Sequence, residues 1–331
     1  MNNYLIIGGG VTGVLLANVL ERRGIAFSGL EKTRQLGNGF SFGQVRLYQD
    51  KSVGILKGLG HNIEWIKIDE QARERKKGEW VAAQSDFIDE EKAFLGAPYY
   101  CPTQSLHPMM ESASESVKPQ FSTDKTVEQI DLEKKIVTCS DGSEHSYERL
   151  AWCSDLNGLL KAVNRASKSL TKKTKRNDDF QGAVHLEMEV RETIFEFKNT
   201  VVFPFRYKDY KLRALGINKL QGHDDNPIKC IHWIVFIERE LTEDREEVAK
   251  VIRALKRELT KEFEGLKSLV IKEKIVFYPK LESYTPLEAK RLELFPDVFY
   301  VGPEVQLTDS TVQNSPLDLT LENCQRFQEI V

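Results

Sequence analysis

A run of four apolar residues that stops in glycine constrains this chain more than anything else in it. Tyr4-Leu5-Ile6-Ile7 has no polar member, the pattern of a strand buried on both faces in a parallel sheet. Gly8-Gly9-Gly10-Val11-Thr12-Gly13 follows at once and matches G-x-G-x-x-G. Val14 to Arg23 then carries helix formers, with apolar Val14, Leu15, Ala17, Val19 and Leu20, before Gly24 stops them. Ile25 to Leu30 returns to strand character and closes on Glu31. The spacing is that of a βαβ unit.

Each residue of this unit has a physical task. Gly8 permits the tight turn out of the strand, Gly10 leaves room for a pyrophosphate, and Gly13 lets the helix pack close to the sheet. Val11 and Thr12 stand at the helix amino end, where unsatisfied N–H groups and the helix dipole favour negative charge. Glu31 sits where a carboxylate accepts hydrogen bonds from an adenosine ribose, and it would repel a 2′-phosphate. Lys32 opens the loop that follows, Lys32 to Phe40, in which Gly37-Asn38-Gly39 offers a second close approach. A glycine-rich turn in an unrelated α/β protein would leave Glu31 unexplained. The unit suits FAD and NAD equally.

The remaining composition narrows the class. At roughly 150 residues per domain, 331 residues make about two domains. With 47 Lys+Arg against 50 Asp+Glu, the net charge of -3 gives no field toward nucleic acid or an anionic membrane. The five cysteines are far apart with no C-x-x-C pair, so they read as single thiols. Glycines interrupt the apolar stretch Tyr4 to Leu20, which excludes a smooth membrane helix. Met1-Asn2-Asn3 has no charge of a secretory signal, and the expected location is cytoplasmic. No H-x-x-x-H, H-E-x-x-H or carboxylate cluster suggests a metal, and G-x-S-x-G is absent.

Further along, a charged helical patch is expected at Asp69 to Lys77. Thr126 to Ile130 and Lys135 to Cys139 alternate around an acidic turn, and Asp141-Gly142 leads to the core strand Tyr147 to Cys153. Strands are expected at Ala183 to Val190, Thr193 to Phe197, Thr200 to Arg206, Lys211 to Ile217 and Ile231 to Ile237. Thr242 is the expected cap of a helix whose Val248, Val251, Ile252, Leu255, Leu259 and Phe263 share one face. Leu269 to Tyr278, then Asp297 to Gly302, read as strands, and Leu317 to Val331 as a closing helix. The five basic residues in Lys168 to Arg176 read as a solvated connector.

These segments, in this order, resemble the FAD-dependent amine oxidase and protoporphyrinogen oxidase superfamily, which also includes UDP-galactopyranose mutase. The resemblance implies an α/β fold: a Rossmann-type FAD/NAD(P)-binding domain with a parallel sheet, and an inserted α+β substrate domain with a mostly antiparallel sheet. It implies a discontinuous nucleotide domain at 1–55, 116–160 and 285–331, and a substrate domain at 56–115 and 161–284. It carries FAD contacts to Gly8, Gly10, Gly13 and Glu31, puts the backbone of Val127 against the adenine, and lays the Gly302 segment along the ribityl chain and flavin ring. Thr311 and Val312 then mark a helix start beside the ring. Gly302-Pro303-Glu304 stands where many relatives have glycine followed by an acid. The implied activity is oxidation of a small or medium organic substrate through the flavin. An NAD-dependent dehydrogenase, a flavin-dependent sugar mutase and a non-catalytic dinucleotide-binding protein are the alternatives.

No catalytic residue is identified. His232 in an apolar strand reads as a core group, whereas His185 lies in an alternating strand and could face a pocket. Phe203, Phe205, Tyr207 and Tyr210 alternate, so one face could floor a substrate site, although core packing explains such a stripe more often. Arg206 and Arg213 could bind an anion bidentately, and exposed strand arginines are common. Tyr278 and Tyr284 flank Pro279 just before the chain re-enters the nucleotide domain. Phe205, Tyr207, Tyr278 and Tyr284 are the substrate-side candidates.

Overall fold

The opening apolar run forms β1 (Tyr4–Ile7), buried throughout. The glycine turn delivers the chain into α1 (Val11–Arg22) and then β2 (Phe27–Leu30). The computed structural model describes residues 4–37, 46–58, 63–84, 87, 89–92, 94–103, 106–163, 181–219, 229–242, 244–281, 287–308 and 315–330. The basic segment 168–176, Asn38, Gly39, Tyr284, Thr311 and Val312 lie outside the described residues.

After α2 (Asp50–Gly58) comes a departure from expectation. Residues Arg73–Lys76 form a strand, β3, not part of a helix, and pair antiparallel with β4 (Glu79–Ala82). The turn between them puts Lys77 and Gly78 at φ 50° and 88°. In β3 only Glu74 is buried, so the period is two, but a run in which every residue is charged hides it. The short α3 (Asp89–Lys92) follows, then α4 (His107–Val117). Met109, Met110, Ala113 and Val117 of α4 join the core around α1.

The chain then adds β5 (Phe121–Ser122) beyond β2. It makes a three-stranded antiparallel meander of β6 (Val127–Asp131), β7 (Ile136–Cys139) and β8 (Glu144–Ser146). β9 (Arg149–Trp152) returns parallel beside β1, and α5 (Leu156–Ala162) leaves it, capped by Asp155.

Four long strands build the second sheet: β10 (Gln181–Val190), β11 (Val201–Tyr207), β12 (Tyr210–Lys219) and β13 (Lys229–Glu238). Thr193 to Phe197 is not a strand. Phe195 instead drops into the core, and a chain turning inward there has no edge left to pair with. Helix α6 (Arg245–Glu262) is capped by Asp244, whose Oδ1 accepts from the Glu246 amide, not by Thr242, which ends a separate one-turn helix. An aspartate cap two residues nearer the apolar stripe satisfies the first amides directly. α6 buries Val248, Val251, Ile252, Leu255 and Leu259, each worth about 1.5–3 kcal/mol.

β14 (Val270–Leu281) completes a seven-stranded sheet in the order β14-β10-β13-β12-β11-β3-β4. β15 (Glu293–Phe295) and β16 (Val298–Tyr300) rejoin the first sheet, whose order is β15-β16-β9-β1-β2-β5. It is parallel except for the β15 edge. α7 (Pro316–Ile330) closes over α1. The architecture is thus the expected one: a parallel nucleotide-type sheet with a mostly antiparallel second sheet inserted.

Because side chains alternate along strands, the second sheet has two distinct faces. Face A carries Val184, Leu186, Phe203, Phe205, Tyr207 and Trp233 and is covered by α6. Face B carries Ala183, Val202, Leu215, Ile217 and Ile234, with Phe94, Leu95 and Phe236 packed on it.

Candidate cofactor and substrate site

The glycine corner is built by steric exclusion. Gly8 has φ 99°, a conformation open to glycine, and sits against the Cys153 backbone. A Cβ on Gly13 would lie 1.8 Å from the Gly8 carbonyl oxygen, so only glycine lets α1 approach the strand end this closely. Gly10 is the N-cap of α1, with no side-chain cap and no acidic residue in the first turn. The amides at Val11 and Thr12 therefore face the corner without a side-chain acceptor of their own helix, a setting suited to a phosphate.

Glu31 is 7% exposed and turns back to this loop. Its Oε2 accepts from the Gly9 amide at 2.6 Å, and its Oε1 accepts from the Thr33 amide and hydroxyl, both at 2.8 Å. Each carboxylate oxygen has two lone-pair directions, so Oε2 retains capacity for a sugar hydroxyl. Leu36 lies over Gly9, and the Gly37 amide donates to the Gly9 carbonyl at 2.7 Å. Lys32 is exposed. The Lys125 amide donates to the Glu31 backbone carbonyl at 2.9 Å, which ties the segment before β6 to the end of β2, and Val127 at the start of β6 is half-buried. The corner thus passes the test of fit for an adenine dinucleotide cofactor: a helix end open to diphosphate, a glycine that excludes any Cβ, and an acid at the sugar position.

The late segment is held from α7. A Cβ on Gly302 would lie 2.5 Å from the Tyr300 hydroxyl, and the Gly302 carbonyl accepts from Asn323 at 2.8 Å. Glu304 is committed to its own neighbourhood, accepting from the Leu156 amide at the start of α5 and from the Tyr300 hydroxyl at 3.0 Å. The closing helix is described from Pro316 onward, and Thr311 and Val312 lie outside the described residues. Its start is a reciprocal capping arrangement: the Asp318 amide donates to the Ser315 hydroxyl at 3.1 Å, while the Ser315 amide donates to Asp318 at 3.0 Å. Asp318, 1% exposed, also accepts from the Tyr48 amide and the Ser52 hydroxyl.

Arg46 joins the two sheets. Beside Leu47, which belongs to the nucleotide-domain core, its guanidinium donates to the Thr200 hydroxyl at 2.6 Å and to the Phe94 carbonyl at 2.5 Å. It also lies 4.1 Å above the Tyr99 ring. Burial pushes the Tyr99 phenol up to about 12, with the Arg46 charge opposing that rise. Thr200 continues the Val202 side of β11, so the clasp sits on face B. Face B therefore borders the nucleotide domain.

In the middle of that apolar face runs a polar row. His185 Nδ1 and His232 Nε2 are 2.9 Å apart, and His232 is 1% exposed. Glu187 stands opposite His232 and also opposite Lys274 in register, and its Oε1 accepts from the Cys230 thiol at 3.3 Å. Toward the other end, Arg213 makes a two-pronged pair with Glu91 at 2.9 and 2.7 Å. Buried polar groups in such a face are stabilised only by partners.

The candidate substrate residues divide. Phe205 and Tyr207 face α6 on face A, and the Tyr207 hydroxyl donates to Glu247 at 2.8 Å, so they do not meet the glycine corner. Tyr278 stands opposite Ala183 in register. Sequence reasoning missed Arg46 and Asp318, whose partners Thr200, Tyr48 and Ser52 are distant in the chain, and also the local capping pair Ser315 and Asp318, three residues apart. It also missed the acid beside the histidines, although His185 and Glu187, two apart on one strand, necessarily share a face.

Residues 2–148 match the family model described as FAD binding domain. Among curated proteins none matches the sequence. An oxidoreductase from Methanosarcina mazei shares the fold at 12% identity and TM-score 0.67, the match covering 99% of this chain and 100% of that one. A protein from Pyrococcus furiosus does so at 12% identity and TM-score 0.61, covering 98% and 97%. PqsL of Pseudomonas aeruginosa, a probable FAD-dependent monooxygenase, does so at 13% identity and TM-score 0.59, covering 99% and 85%. At these identities the solved structures establish the fold. The family match on the first domain assigns FAD, in preference to NAD, as the cofactor.

Proposed function

We propose that the protein oxidises a small or medium-sized organic molecule held over face B, against the flavin end of FAD. The observation that carries this reading is the Arg46 clasp, which sets an apolar sheet face with one polar row beside the nucleotide domain. Such a face has the make-up of a ligand site, mostly apolar with a few convergent polar groups. FAD, when bound, supplies the acceptance and donation of a hydride.

This chain's residues then have distinct tasks. Gly8, Gly10, Val11, Thr12 and Gly13 admit the diphosphate, Glu31 takes the ribose, Lys32 adds positive charge at the loop, and Val127 borders the adenine. The segment of Gly302 and Glu304, with Thr311 and Val312 beyond it, lies toward the flavin. His185, His232 and Glu187 hold a proton between them on the substrate side. The nucleotide domain comprises 1–55, 116–160 and 285–331, and we add α4, because its apolar face belongs to the α1 core; the rest serves the substrate.

As to reaction type, PqsL's description as a probable FAD-dependent monooxygenase favours oxygen insertion. The amine-oxidase-like type, in which substrate alone reduces the flavin, is the second reading and rests on the order of segments. Mixing FAD-loaded protein with candidate substrates and reduced nicotinamide dinucleotides under anaerobic conditions separates them. Oxygen insertion expects bleaching by the nicotinamide cofactor, and hydroxylated product only once oxygen is admitted. Bleaching by an amine alone favours the second type, and failure to take up FAD contradicts both.

A further inference from the structure

Face B is covered in this structure. Its Ala183, Val202, Leu215 and Ile217 are fully buried, and the cover over them includes Phe94 and Leu95, which follow α3. The Phe94 and Leu95 amides donate to the Glu91 and Lys92 carbonyls at 2.9 and 3.1 Å, so both residues extend the single turn of α3. The cover stays half-exposed while the side chains beneath it are dry.

The two ends of this cover are held in different ways. The Phe94 carbonyl accepts from the Thr200 hydroxyl at 2.6 Å and from Arg46 at 2.5 Å, and the Phe94 ring meets Phe236 at 6.3 Å between centroids. That end belongs to the seam between the two sheets. At the other end Glu91, itself buried, takes Arg213 of β12 in a two-pronged pair at 2.9 and 2.7 Å. Arg213 alternates with Leu212 and Ala214 of face A, so it stands on face B. A buried ion pair fixes geometry but contributes little net stability, because desolvation of the two charges offsets most of their attraction. A helix of one turn does not stand alone in water, since its nucleation costs more than so few bonds return. The cover therefore has one firm end and one charged latch.

We propose that α3 with Phe94 and Leu95 is a lid, which opens at the Glu91–Arg213 latch, turns about the Phe94 anchor and closes over a bound substrate. An element with few fully buried apolar side chains opens at a free energy well below that of the whole fold. Opening uncovers Val202, Leu215 and Ile217 on the face that carries the row of His185, Glu187 and His232. Closing excludes water from that space, which strengthens the electrostatic interactions inside it. The use of the lid for substrate rests on the reading of face B as the substrate face, whereas its opening does not.

Native-state hydrogen exchange on FAD-loaded protein, with no substrate present, tests this. The Phe94 and Leu95 amides are compared with those of Leu215 and Ile234, which lie opposite each other in the sheet beneath. In the parent the lid amides are expected to exchange at least a hundredfold faster than the sheet amides, because a turn released from the sheet does not keep its bonds. E91Q deprives Arg213 of this acid in the closed form only, and should speed the lid amides at least tenfold more, with sheet amides and flavin content as in the parent. Lid amides as protected as the sheet in the parent, no further acceleration in E91Q, or equal acceleration of lid and sheet overturns the proposal. None of these readouts depends on oxidation, so the lid and the proposed chemistry fail separately.

Discussion

Gly13→Val is expected to yield a colourless protein. The new Cβ would sit 1.8 Å from the Gly8 carbonyl oxygen and 2.9 Å from its carbon. Both are backbone atoms, and Gly8 is itself fixed by the hydrogen bond its amide donates to the Leu30 carbonyl at 2.8 Å. α1 must therefore move away from the strand end, carrying with it the amides that face the phosphates. Overpacking of this kind costs about 1–3 kcal/mol in an adaptable core, and a backbone obstruction belongs at the upper end or beyond. The effect on the cofactor is larger, because the helix end and Glu31 act on one ligand and lose their mutual geometry together. Visible flavin absorbance per protein after purification and dialysis against FAD is the measurement. Gly54→Ala is the matched control: its Cβ meets nothing within 4 Å, on helix α2. It should retain FAD and stabilise the fold by about 0.5–1 kcal/mol.

The second large effect is expected at the other end of the chain. Asp318→Ala removes the acceptor for the Tyr48 amide at 2.8 Å, the Ser315 amide at 3.0 Å, the Ser315 hydroxyl at 2.8 Å and the Ser52 hydroxyl. Three of these four bonds are buried and the Tyr48 one partly so, and water cannot replace the lost carboxylate without opening the α7 start. Orphaned buried donors cost about 1–3 kcal/mol each and are not additive, so a total on the order of 3–5 kcal/mol is expected. The denaturant midpoint should fall with little change in slope. Asp318→Asn keeps the volume and one acceptor oxygen and should lose roughly half as much. A loss under about 1 kcal/mol for the alanine variant would mean that α7 is not anchored through this residue.

These two sites differ in how readable they are from sequence. β1, α1 and β2 are legible because three local signals agree: an all-apolar strand, glycines at fixed spacing, and an acid at the next strand end. The amphipathic stripe of α6 is legible for the same reason, since Val248 to Leu259 repeat at helical intervals. β3 is not, because charge on every residue of Arg73–Lys76 conceals which side chain points inward. The aromatic alternation in β11 gave the period correctly but not the face. Phe205 and Tyr207 face α6, whose apolar stripe packs into the same buried cluster. Asp318 with Tyr48, Arg46 with Thr200, and His185 with His232 are contacts between segments 47 to 270 residues apart. No local pattern encodes such pairings; they arise from strand register and from where the two sheets meet.

The central claim is that the glycine corner and Glu31 together hold FAD. Isothermal titration of flavin-free protein with FAD and, separately, NAD, on the parent and on Glu31→Gln, tests it most directly. One FAD is expected per chain, with NAD binding far more weakly. Glu31→Gln should weaken FAD at least tenfold, because the amide gives up one acceptor and directs a donor at Gly9 or the ribose. Absence of FAD binding, or identical FAD affinity in the parent and Glu31→Gln, would contradict the claim.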